Sequence, residues 1–131
     1  MRVIRGKEQE TRLAPETRFT GIVHHEALLP PQPPSGLKVS RVLFAPGART
    51  FWHSHPAGQA LHVVYGYGRV MVWGQPIVEI GPGDTVFIAP GEKHWHGAAP
   101  TTPMAHLAIS AGEGDTDWME PVSEEDYTGG R

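Results

Sequence analysis

A chain of 131 residues has the size of one domain with one core, and its net charge of -3 leaves no basic excess to hold nucleic acid or an anionic membrane surface. With no cysteine, disulfides, thiolate metal sites and a thiol nucleophile are excluded together, so a bound metal must use nitrogen and oxygen ligands. The start M-R-V-I-R-G-K-E has no apolar signal core and no apolar run reaches membrane-spanning length, which predicts a cytoplasmic protein.

The 16 glycines and 13 prolines are spread between apolar runs, the pattern of an all-β chain with many turns. Residues 1–17 are polar and predict an N-terminal edge segment; residues 18–23 read as a strand. His24 and His25 follow, and because neighbours on a strand face opposite ways they cannot serve one metal, which predicts surface or interface roles. The proline-rich residues 28–36 read as a stiff connection. Strands are expected at 38–45 and 51–55, then at 59–65, where Gln59, Leu61 and Val63 share one face and His62 turns away, its ring satisfied by a neighbour. Gly66-Tyr67-Gly68 reads as a hairpin corner into 69–73, Gly74-Gln75-Pro76 as another into 77–80, and Gly81-Pro82-Gly83-Asp84 as a tight turn. Further strands follow at 85–89, at 93–98 with His94 and His96 opposite Trp95, and at 104–110 with His106 in mid-strand. The acidic tail, 112–131, predicts one short helical turn capped by Ser123 and packing of Trp118, Met119 and Val122 onto the rest; no chemistry is expected in it. About eight to ten short strands in a single domain spanning 1–131, its core at 38–111, predict a sandwich or small barrel.

Two stretches carry chemistry. His53 and His55 stand two apart in an extended run, so both imidazoles can reach one point, and Gln59 follows the turn made by Pro56-Ala57-Gly58. His94 and His96 repeat the H-x-H spacing later in the chain. Gly47, His53, His55, Gln59 and Gly66 match the pattern G-x5-H-x-H-x3,4-E-x6-G, with Gln in place of Glu. Gly83, Gly91 and His94 match G-x5-P-x-G-x2-H-x3-N, with Ala89 and Ala98 in place of its Pro and Asn. In these motifs the chain resembles the cupins. The runs A-P-G-A-R-T-x-W-H-S-H-P-A-G-Q and P-G-E-K-H-W-H-G-A-A-P-T-T, the strand M-A-H-L-A-I and the tail D-W-M-E further resemble the small bacterial manganese cupins with R-selective hydroxynitrile lyase activity.

That resemblance implies a conical antiparallel β-barrel, or jelly roll, holding one divalent metal, Mn²⁺ before Fe²⁺, Ni²⁺ or Zn²⁺, through His53, His55, Gln59 and His94. Because Gln59 is neutral, the ion would keep its full charge. The implied reaction is cleavage or formation of cyanohydrins, with His106 as base and His96 holding cyanide. Ser40, Val42, Phe44, Thr50, Leu61, Val63, Met104, Ala108 and Ser110 are the expected walls of the substrate pocket. An oxidative, dioxygenase-type cupin and a non-catalytic cupin binding a small ligand are the competing expectations. Either way the partner is a small molecule, with no nucleic acid and no membrane, and exposed strand edges predict a homodimer or homotetramer.

Overall fold

The glycine and proline punctuation cuts the chain into short strands that stack as two antiparallel sheets, seen in a computed structural model that describes residues 1–129. The strands are β1 (Arg12–Leu13), β2 (Phe19–Thr20), β3 (Val23–Gln32), β4 (Leu37–Phe44), β5 (Arg49–Thr50), β6 (His53–Ser54), β7 (Gln59–Gly66), β8 (Gly68–Val72), β9 (Val78–Ile80), β10 (Thr85–Ile88), β11 (His94–Ala98), β12 (Met104–Ser110) and β13 (Asp117–Trp118). One sheet runs β1-β3-β4-β12-β7-β10; the other runs β13-β6-β11-β5-β2, with β8 pairing β11 and β9. The single α-helix among the described residues, α1 (Glu124–Thr128), begins at Ser123, whose hydroxyl accepts from the Asp126 amide at 3.1 Å.

Three local readings are corrected. Residues 28–36 are not simply a connection: β3 continues through Pro30 and Pro31 to Gln32, which is permitted because only the short β1 covers its other side, and it meets β1 at His24 and His25 alone. Gly66-Tyr67-Gly68 is not a hairpin corner, because β7 and β8 lie in different sheets; the chain crosses between them there. Gly66 makes the crossing at φ +74°, where an added Cβ would collide with the Pro103 carbonyl. Residues 51–55 are not one strand. Three steps of β11, from Gly97 to His94, oppose four of the other chain, from Arg49 to His53, so one residue bulges out. The bulge sends Trp52 outward and returns His53 to the inner face.

Inner faces of the sheets meet in an apolar core that includes Val23, Phe44, Val63, Ile88 and Met104. A second core lies outside the other sheet, where Trp52 and Trp95 pack with Val122 and Tyr127 of the tail. The Tyr127 hydroxyl donates to the Ala98 carbonyl at 2.7 Å and its ring lies 4.3 Å from the Arg49 guanidinium. Both faces of β11 are therefore buried, which fixes His94 and His96 from behind.

The N-terminal residues cover an ion pair on the outer face of the first sheet. Arg41 Nε donates to Glu26 Oε1 at 2.6 Å and Thr11 Oγ1 to Oε2 at 2.7 Å, and the Glu26 carboxyl is buried. These two hydrogen bonds, Arg41 first, hold the Glu26 carboxyl below its usual value. A depressed carboxyl adds stability above its unfolded pKa, about 4.3, and loses it as pH falls through the lower folded value. Arg41→Ala is expected to cost about 2 kcal/mol at neutral pH, measured by urea unfolding. The difference between the two proteins should narrow below about pH 4.

Candidate metal centre

His53 and His94 face each other as partners across β6 and β11, with ring centroids 4.2 Å apart. His53 Nδ1 donates to the Phe51 carbonyl and His94 Nδ1 to the Glu92 carbonyl, each at 2.8 Å. A carbonyl only accepts, so both protons sit on Nδ1 and both Nε2 atoms carry lone pairs. His55 follows β6, its ring 5.0 Å from that of His53 and 5.4 Å from that of His94. Its Nδ1 meets the Thr116 hydroxyl at 3.2 Å. Gly58, at φ +82°, closes the turn from His55 to Gln59, and the Gly91 amide ties the second histidine loop to the His55 carbonyl at 2.9 Å.

Nε2 of His55, Nε2 of His94 and Oε1 of Gln59 are all buried without a hydrogen-bond partner among the described residues. Orphaned acceptors in a buried cluster are costly unless something fills their valences. Three imidazole nitrogens and an amide oxygen are a donor set that a divalent transition metal satisfies, so the residues fit such an ion. Burial holds all three rings below the ordinary histidine range, with His55 brought to about 4, so the lone pairs stay free at neutral pH.

The structure brings His96 in as well: the ligand atoms of His53, His94 and His96 lie within 4.8 Å of one another, a three-histidine group suited to a divalent metal. Behind it, His106 Nε2 meets His96 Nδ1 at 2.9 Å. The outer nitrogens of this pair, His96 Nε2 and His106 Nδ1, are buried and unpartnered. Burial pushes both rings down, His106 to about 4, so the pair is neutral at pH 7.

A cavity of about 310 Å³ opens onto His53, His55, Gln59 and His96. Of the residues expected as its walls, Ser40, Val42, Thr50, Ala108 and Ser110 line it. Phe44, Leu61, Val63 and Met104 do not. Register gives the reason for two of them: Phe44 pairs with Met104 one inward row deeper than Val42 and His106, where the two sheets close on each other. Leu61 and Val63 share the inward face of β7 and are wholly enclosed. His106 is also fully buried and does not border the cavity. His62 faces outward with its Nδ1 on the Thr85 hydroxyl at 2.8 Å, as its strand position required.

The tail takes part in the site, contrary to expectation. β13 pairs with β6, which lays the Trp118 ring against His53 at 4.7 Å and 25° and brings Thr116 to His55. The D-W-M-E run was visible in the sequence, but nothing in its spacing tied it to the histidines. His25 and Lys38 also line the cavity from β3 and β4. Thr116→Val removes the hydroxyl from His55 Nδ1 and is expected to weaken metal binding roughly 10- to 100-fold, with Thr116→Ser restoring it, measured by chelator competition.

Comparison with known proteins agrees with this geometry. Residues 40–110 match the cupin domain model. Over 129 residues, 97% of this chain and 98% of the relative, the sequence is 46% identical to an (R)-mandelonitrile lyase of Granulicella tundricola. A cupin-like protein of Thermotoga maritima superimposes with a TM-score of 0.87 at 39% identity, over 90% of this chain and 91% of that one. A polyketide cyclase of Streptomyces resistomycificus shares the fold at a TM-score of 0.77 and 21% identity, over 97% and 90% of the two chains. With the motif histidines gathered between the sheets of a jelly roll and the domain model spanning β4 to β12, the chain belongs to the cupin family.

Proposed function

We propose that the protein is a divalent-metal-dependent lyase that cleaves or forms cyanohydrins, with His53, His55, Gln59 and His94 as the metal-holding residues and Mn²⁺ as the ion. The observation that carries this reading is the 46% identity, over nearly the full length, to a mandelonitrile lyase, joined to a buried cluster of unsatisfied acceptors. A divalent ion held by His53, His55, Gln59 and His94 would supply Lewis acidity toward a substrate oxygen. The chain's own residues do the rest.

Cleavage requires loss of the hydroxyl proton and a route for it. Of this pair only His96 lines the cavity, and its Nε2 is buried without a partner, while His106 stands behind it. When His96 Nδ1 donates to His106 Nε2, His96 Nε2 carries the lone pair and can take the proton. In this reading His96 is the base and His106 positions it, the reverse of the order expected from the sequence. Trp118, Phe19 and Val42 give the cavity apolar walls, and no acidic side chain lines it, so a departing cyanide meets no like charge.

The test is cyanide release from mandelonitrile by metal-loaded protein under anaerobic conditions. Turnover without oxygen is expected. Turnover that appears only when O₂ is admitted would move the assignment to an oxidative reaction.

A further inference from the structure

In the cavity wall, β4 and β12 place Lys38 and Ser110 directly opposite each other on the inward face. Lys38 is half-buried and forms no ion pair or hydrogen bond among the described residues. Ser110 is 9% exposed, and its hydroxyl is buried with no partner. Both residues border the main cavity and also an adjoining one closed by residues 112–116. A lone ammonium and an unsatisfied hydroxyl thus stand together in the cavity wall beside His55, which borders both cavities with them.

We propose that Lys38 and Ser110 form a carboxylate-binding corner of the cavity beside the metal-holding residues, so that its substrate is a small organic acid that also carries an oxygen function for the metal. The inference rests on the metal-site half of the proposed function and not on the lyase reaction. The donor inventory selects the ligand. One ammonium and one hydroxyl match a singly charged carboxylate, whereas a phosphate dianion is better matched by an arginine fork or a helix N-terminus, and neither lines the two cavities. The main cavity itself contributes no carboxylate to compete for Lys38. Glu113 and Asp115 border only the adjoining cavity, are exposed, and pair with nothing there among the described residues. Ala27, Leu29, Pro30 and Val42 also line this cavity and ask for an apolar body.

The experiment compares 4-(hydroxymethyl)benzoate with 4-(hydroxymethyl)benzamide by titration calorimetry on manganese-loaded protein. The two probes share the alcohol and the ring and differ in charge at the far end. The acid is expected to bind roughly tenfold or more tightly than the amide, the worth of a charged hydrogen bond. Lys38→Met should bring the two within about twofold, and Ser110→Ala should cost the acid alone several-fold. Equal binding of acid and amide to the wild-type protein overturns the proposal, whether Lys38 reaches no ligand or is neutralised by Glu113 and Asp115. So does a preference that survives Lys38→Met, which would place the carboxylate on the metal. Protein that releases cyanide from mandelonitrile without discriminating the probes keeps the lyase and loses this site. Protein that discriminates them without releasing cyanide keeps the site and loses the lyase.

Discussion

His94→Ala is expected to leave the purified protein with less than roughly a tenth of an ion per chain, against about one for the wild type, and to abolish turnover with it. His94 is the residue to remove because it belongs both to the proposed set of His53, His55, Gln59 and His94 and to the trio of His53, His94 and His96 whose ligand atoms lie together. Losing an orienting partner of a ligand already costs about 10- to 100-fold in affinity, so losing the ligand itself should exceed that. His94 is fully buried, and its removal leaves the Glu92 carbonyl without a donor, at about 1–3 kcal/mol. Folding must therefore be checked separately. Linkage supplies the check: Mn²⁺ at about 100 times its Kd stabilises a folded binder by about 2.7 kcal/mol, so added ion should raise the wild-type melting temperature and leave that of the variant unchanged. A wild-type protein free of metal by elemental analysis, or a variant that keeps its ion, would remove the site.

The motif histidines were legible in the sequence because they lie on local spacings. Period-2 alternation in a strand puts His53 with His55 and His94 with His96, and turns His62 away from Gln59, whatever the partner strands do. The Ser123 cap and the turn at 81–84, where the Gly81 amide donates to Asp84 Oδ2 at 2.7 Å, are equally local and were equally readable. What could not be read depends on which strands pair. Trp118 and Thr116 reach the histidines only because β13 adds to the edge of β6, a pairing between segments far apart in the chain. Phe44 and Met104 alternate inward just as Val42 and Ala108 do, and only the depth at which the sheets converge separates core from cavity wall. The bulge before His53 was hidden for the same reason: Trp52 continues the extended run in sequence, and its exit to the second core is set by Trp95 and the tail. Lys38 read as the polar start of a strand, and the register with Ser110 is what sets the two side by side in the cavity wall.

His96→Ala separates two roles that the geometry puts within a few ångströms of each other. If His96 is the base, the variant should hold about one ion per chain while its turnover of mandelonitrile falls about 10²- to 10⁴-fold, the usual worth of a positioned proton acceptor. If His96 completes the metal-holding trio, ion and turnover should disappear together. The base reading is favoured by the bond behind the ring. A histidine that only ligates needs one partner to fix its tautomer, and a backbone carbonyl serves for both His53 and His94. His96 has instead a second imidazole at 2.9 Å, a partner that can accept as well as donate and can share the proton that arrives. His106→Leu would leave His96 Nδ1 buried and unpaired, and is expected to lower kcat by at least about tenfold with metal content intact. His106→Gln, whose amide oxygen can accept from that same nitrogen, should recover much of the loss. Equal loss in the leucine and glutamine variants would mean that position 106 acts through packing against Phe44, whose ring lies 5.3 Å from that of His106, and not through the hydrogen bond.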